Sequence, residues 1–289
     1  MANDIDTAPI AGDKARRSAL SVFFQQEGAR AGVVTVVSTV AFFGVAFFAI
    51  TRSPNWPRVR EQFFSWEDFV DAFPAVIDGF WLNVQLFFWA MLAIPVLALV
   101  IAVMRSLRGP AFTPIRLLSV IYTDVFRGVP LILLILLLGF GVPALNIQGL
   151  PSSATVWGLI ALTLSYSAYT AEIYRSGIDA VPESQRSSAR SLGLTQFQAL
   201  RYAILPQAIR NVVPALMNTV VSLQKDVALI SVLGVRDATR EAQIITTRTF
   251  NYTPFLAATV LFLLVSIPLT RYVDYYTSRD RSERSQSGV

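Results

Sequence analysis

Residues Phe80 to Met104 run for 25 positions without an Asp, Glu, Lys or Arg. About 17 to 25 helical residues cross a hydrocarbon core of about 30 Å, so this block has the bilayer as its expected solvent. Five more blocks of similar character lie near 33–50, 118–140, 154–174, 210–235 and 254–272. Hydrophobic residues make up 54% of the chain, well above what a soluble core requires. The expected fold class is therefore an all-α integral membrane protein with about six transmembrane helices.

The other blocks are less uniform. The third carries Asp124, Arg127 and Pro130, and the fifth carries Lys225 and Asp226. A charge at the centre of a span costs about 3 kcal/mol on insertion, so a buried helix of a cytoplasmic domain is the alternative for the fifth. Topology follows from the arginines. With a cytoplasmic N-terminus, roughly sixteen Lys and Arg residues fall on the inner flanks, among them Arg105, Arg116, Arg190 and Arg271. About six fall outside: Arg52, Arg58, Arg60, Arg236, Arg240 and Arg248. Positive-inside bias then places both termini in the cytoplasm of a multi-pass protein of the cell membrane.

The expected organisation is a polar tail over 1–30, an additional span with an external loop over 31–78, the main transmembrane region over 79–272 and a polar tail over 273–289. Both tails read as disordered. The segment 51–78, with Trp56, Trp66, Pro54 and Pro57, reads as an external connector or a short helix lying on the headgroups. The first apolar block starts too far in for an ordinary signal peptide and is expected to remain as an anchor.

Composition removes several function classes. The chain has no His and no Cys, which takes away zinc sites of the usual kind, thiol nucleophiles, disulfides and imidazole bases. No metal site and no catalytic residue are expected. Its two lysines, Lys14 and Lys225, precede Ala15 and Asp226, so no Gly-Lys-Ser/Thr phosphate loop exists. Nucleotide hydrolysis has to come from a partner. The net charge of +5 is spread between apolar blocks, a pattern explained by topology and not by nucleic acid.

Between the fourth and fifth blocks, Ala180 to Pro206 reads as two short helices. Pro182 suits the first helical position, Glu183 the first turn, and Gly193 a left-handed C-terminal cap. Thr195 with Gln198 forms a capping box for a second helix, expected to stop before Pro206. Ala189 and Leu192, then Phe197, Leu200 and Ile204, make apolar stripes that need another surface. That surface is either the protein's own spans or a groove on a soluble partner.

This stretch resembles the cytoplasmic EAA loop of permease subunits in ATP-binding-cassette importers, with Ser187-Ser188-Ala189, Gly193 and Ile204-Leu205-Pro206 in the aligned positions. Ser187 and Ser188 stand where Glu and Ala are usual, which implies one of three things: weaker coupling, Glu183 one turn earlier as a substitute carboxylate, or pairing with a different permease that keeps the Glu. Four further stretches are similar to the polar amino acid branch of that family: 122–131, 167–175, 205–214 and 218–229. The resemblance implies a five-helix importer core of the first type, preceded here by one extra N-terminal helix, with short cytoplasmic coupling helices. It implies a transport subunit without catalysis of its own and without a cofactor, ATP and magnesium being bound by a separate ATPase subunit. It also implies an extracytoplasmic amino-acid-binding protein and a second permease, as a homodimer or heterodimer. The ATPase-coupling residues would be Glu183, Gln185, Ser187, Ser188, Ala189, Gly193, Ile204 and Pro206. An ion-coupled secondary transporter or channel is the alternative reading, in which intramembrane charges drive transport without an ATPase.

Ionisable residues inside spans are functional candidates by default. Asn218, Gln224, Lys225 and Asp226 are candidates for bordering the solute pathway, because a zwitterion needs both signs of charge and amide partners. The other reading of Lys225 and Asp226 is an interhelical ion-pair network. Lys225 and Asp226 point about 100° apart on a helix, so each needs its own partner. Arg127, Gly128 and Pro130 are candidates for a helix break facing a cavity or an ordinary kink, with Glu172 and Arg175 near the cytoplasmic end of their span.

Overall fold

A computed structural model describes residues 28 to 286 apart from Arg108, so the expected disorder of 1–27 lies outside the described residues. The chain divides into two units, Met1–Arg60 and Glu61–Val289. The first holds helix α1, Gly28–Thr51. Its apolar side chains are exposed on every face, Val33, Phe42 and Phe47 each by more than half, as a helix solvated by lipid requires. A short helix, α2 (Trp56–Phe63), follows at the boundary.

The second unit is built on α3, which runs from Trp66 to Ser106. The expected second span begins too late: the helix starts fourteen residues before Phe80, inside the segment read as an external connector. Ser65 accepts from the Asp68 N–H, Glu67 and Asp68 sit in the first turn, and these capping signals start the helix where hydropathy does not.

The third block is two helices, α4 (Thr113–Gly128) and α5 (Leu131–Ala144), bent by 103° at Val129-Pro130. Pro130 has no N–H to continue the ladder, and its ring disfavours helical backbone at Val129. α6 (Ala154–Asp179) then lies at the centre, packed against α3, α4 and α5. Among the described residues four helices are long and apolar enough to cross a membrane, with the bent pair as a fifth. α6 is long enough, at about 39 Å, but polar; Ser165, Ser167 and Thr170 are buried in protein contacts and never meet lipid.

The segment between α6 and the next long helix forms α7 (Glu183–Ser191) and α8 (Gln196–Ala199). Pro182 is the N-cap and not the first helical residue. The second helix, expected to stop before Pro206, does not. It passes through a π-helical turn at Leu200–Ile204, where the Leu205 N–H donates to the Leu200 carbonyl, into α9 (Leu205–Asp226). The wider turn places Pro206 in the first turn of α9, where a missing N–H is tolerated. A 3₁₀ segment, Val227–Leu233, continues from α9, followed by α10 (Ala238–Thr249) and α11 (Thr253–Gln286). The C-terminal tail read as disordered is thus helical to Gln286.

Two apolar clusters hold the unit together. One joins α3, α5, α6, α9 and the 3₁₀ segment through Leu86, Ile135, Leu162, Leu223 and Ile230; the other joins α3, α10 and α11 through Val76, Ala238 and Ala257. Small residues permit the close approach. A Cβ on Gly79 would lie 2.6 Å from the Asp237 carbonyl carbon. At that crossing Asn83 donates to Asp237 at 2.9 Å and accepts from the Ala238 N–H at 3.1 Å, while Asp237 caps α10 through the Arg240 N–H at 2.8 Å.

Candidate functional site

The break between α4 and α5 leaves the last carbonyls of α4 without helical donors, and side chains of α6 supply them. Tyr169 donates to the Arg127 carbonyl at 3.1 Å and Ser165 to the Phe126 carbonyl at 3.4 Å. The Arg127 guanidinium lies over the Tyr169 ring, 5.6 Å from its centre. These contacts hold open a cleft of about 640 Å³ whose walls are the break itself, α6 and α9.

Seven of the expected residues can be placed around it. Arg127, Gly128, Pro130, Glu172, Asn218 and Asp226 line the cleft, and Arg175 stands behind Glu172. Gln224 does not line it: the side chain is buried and accepts a hydrogen bond from Ser266 on α11. Lys225 faces a different groove, between α9 and α11, with Phe262, Arg271 and Asp274. The 100° between neighbours on a helix separates Lys225 from Asp226, as expected.

The two carboxylates of the cleft differ in company. Glu172 pairs with Arg105 at 3.0 Å, with Arg127 at 3.9 Å and with Arg175, which also holds Asp179 at 2.8 Å. Its charge is more than balanced by its neighbours. Asp226 accepts from the Tyr166 hydroxyl at 2.7 Å and has no cation within ion-pair distance among the described residues. The ion-pair network suggested for Lys225 and Asp226 is therefore located at Glu172 instead, tying α3, α4 and α6 together.

Ser165, Tyr166, Tyr169 and Arg105 were not among the sequence candidates. Ser165, Tyr169 and Glu172 recur at spacings of four and three, which marks one face of a helix. Arg105 carries no such signal, because its partner is 67 residues away.

The helical corner at 180–206 keeps its expected caps. Gly193 adopts φ +81° and donates to Arg190 while Leu194 donates to Ala189, a Schellman motif. Thr195 and Gln198 exchange both bonds of the capping box. The apolar stripes divide: Ala189 and Ile204 are buried, whereas Leu192 is 82% and Phe197 68% exposed. Ile204 packs with Val181 and Ala208. Glu183, Ser187, Ser188 and Pro206 are exposed and Gln185 is half-buried.

The chain matches the family described as binding-protein-dependent transport system inner membrane component over residues 110–281. It is 32% identical to the "Probable glutamine ABC transporter permease protein GlnM" of Bacillus subtilis over 72% of this chain and 94% of that protein. The Bacillus subtilis arginine transport system permease protein ArtQ is 29% identical over 70% of this chain and 90% of its own length. Among solved structures, an amino acid ABC transporter crystallised with histidines superposes with TM-score 0.67 and 34% identity, over 74% of this chain and 98% of that one. With its bundle, broken helix and capped helical corner, this chain is a multi-pass membrane protein belonging to the family of binding-protein-dependent transport system inner membrane components.

Proposed function

We propose that this subunit is the permease of an ATP-driven importer and passes a polar amino acid through the cytoplasmic membrane. The observation that carries the reading is the cleft at the broken helix, which offers Asp226 without a counter-cation among the described residues and Arg127 only loosely paired, 3.9 Å from Glu172. A zwitterion needs one group of each sign, and α5 begins at Leu131 on the cleft wall, where a helix N-terminus favours a carboxylate. The α-ammonium then belongs at Asp226 and the α-carboxylate at Arg127.

The chain itself is non-catalytic and holds no cofactor; ATP and magnesium bind a separate ATPase subunit. Support for this comes from family membership and from the exposed Leu192 and Phe197, which present an apolar surface between Glu183, Ser187 and Ser188. In this reading Gly193 and Ile204 set the shape of the corner instead of touching the partner. Both termini and this corner lie in the cytoplasm, a second permease completes the pathway, and an extracytoplasmic binding protein delivers the solute.

ATP hydrolysis by the complete complex in liposomes, with binding protein loaded from an amino acid panel, tests the reading. Stimulation by one amino acid supports it and names the solute. Uptake driven by an ion gradient with no co-purifying ATPase overturns it.

A further inference from the structure

Beside the cleft lies a second, smaller cavity of about 170 Å³, between α3, α6 and α9. Tyr166 and Thr219 line both spaces, so the two are neighbours with those side chains between them. The wall of the smaller one is chiefly apolar and contains no charged residue. Its polar groups are few and unusually placed.

Thr170 is 3% exposed and its hydroxyl has no hydrogen-bond partner among the described residues. Buried polar groups are normally satisfied, and leaving one unpaired costs about 1–3 kcal/mol, so such an orphan asks for an occupant. The Tyr174 hydroxyl, half-buried on the same wall, makes no hydrogen bond among the described residues. Thr219 donates to the Ala215 carbonyl at 3.0 Å and keeps its lone pairs for a donor. Pro95 interrupts α3 on the third side and, lacking an N–H, cannot serve the Met91 carbonyl.

We propose that this cavity receives the side chain of the transported amino acid and admits uncharged, hydrogen-bonding side chains of the amide type. The inference rests on the transport reading above, with the α-ammonium and α-carboxylate remaining in the cleft. A cavity of about 150 Å³ holds one benzene-sized group, which is the scale of a side chain and too small for a whole amino acid with its water. An amide brings both donor and acceptor to Thr170, Thr219 and Tyr174. An ionised side chain finds no counter-charge there and loses its hydration, so arginine and glutamate are excluded.

Equilibrium binding of labelled glutamine, arginine and glutamate to the permease–ATPase complex, without binding protein, tests this. Glutamine binds and the two charged amino acids bind at least tenfold more weakly. Thr170→Val weakens glutamine binding about tenfold, and Thr170→Ser, which keeps the hydroxyl, retains the wild-type affinity. Arginine or glutamate binding as tightly as glutamine overturns the proposal. So does a Thr170→Val complex with unchanged affinity, in which case the hydroxyl meets only water. Amino acid uptake by the wild-type complex with its binding protein is measured alongside. Uptake together with indifference to Thr170→Val sinks the pocket alone, whereas no uptake sinks the transport reading with it.

Discussion

Asp226 and Glu172 are carboxylates of one cleft with opposite surroundings, and their substitutions separate binding from stability. Asp226→Asn keeps a hydrogen bond with Tyr166 but loses the charge, so we expect complex recovery near wild type and amino acid affinity about tenfold weaker, read by binding to the purified complex. Glu172→Gln leaves Arg105, Arg127 and Arg175 facing each other without their shared anion. The side chain is 21% exposed, so solvent screens part of the loss, and we expect about 1–2 kcal/mol of destabilisation in a detergent melt. An unchanged melting temperature would show that the network is ornamental. Asp226 and Glu172 stood out in the sequence because charges are rare inside spans. Tyr166 and Thr170 did not, since tyrosine and threonine are unremarkable in a helix until their neighbours are known.

At the scale of elements, most helix ends were readable wherever a local rule governs them. Gly193 is such a place: φ +81° is open to glycine and costs a β-branched residue about 1–2 kcal/mol. Gly193→Val is therefore expected to misalign α7 and α8 and to reduce ATPase co-purification several-fold, while the melting temperature of the membrane bundle stays within a few degrees. Gly79 tests a different kind of fit, the crossing of α3 with the start of α10. Gly79→Ala pushes a methyl group into the Asp237 backbone, and overpacking of this kind costs about 1–3 kcal/mol. Gly44→Ala, with nothing within 4 Å, serves as the control and should melt like wild type. The start of α3 and the passage through Pro206 were missed for one reason. Apolarity and proline were read as boundaries, while a Ser65 cap and a π turn overrode them.

Across the whole molecule, topology is open to direct labelling because the chain has no cysteine. Ser188→Cys on the exposed corner of α7 is expected to react with an impermeant maleimide only in inside-out vesicles, and Thr247→Cys on α10 only in right-side-out cells. The reverse pattern would invert the transport direction proposed above. The sequence by itself determined that the chain is helical and membrane-embedded, that no cysteine or histidine chemistry takes place, and that 180–206 folds as a capped helical corner. Those properties follow from transfer free energy, residue inventory and bonds between near neighbours. Tertiary structure alone decided that the third block bends through 103°, that Gln224 and Lys225 turn away from the cleft, and that Glu172 collects Arg105. A break near Pro130 is a local matter, but its angle, the burial of Gln224 against Ser266 and the pairing of Glu172 with Arg105 depend on side chains from helices far apart in the chain, and no local rule in the sequence records which faces meet.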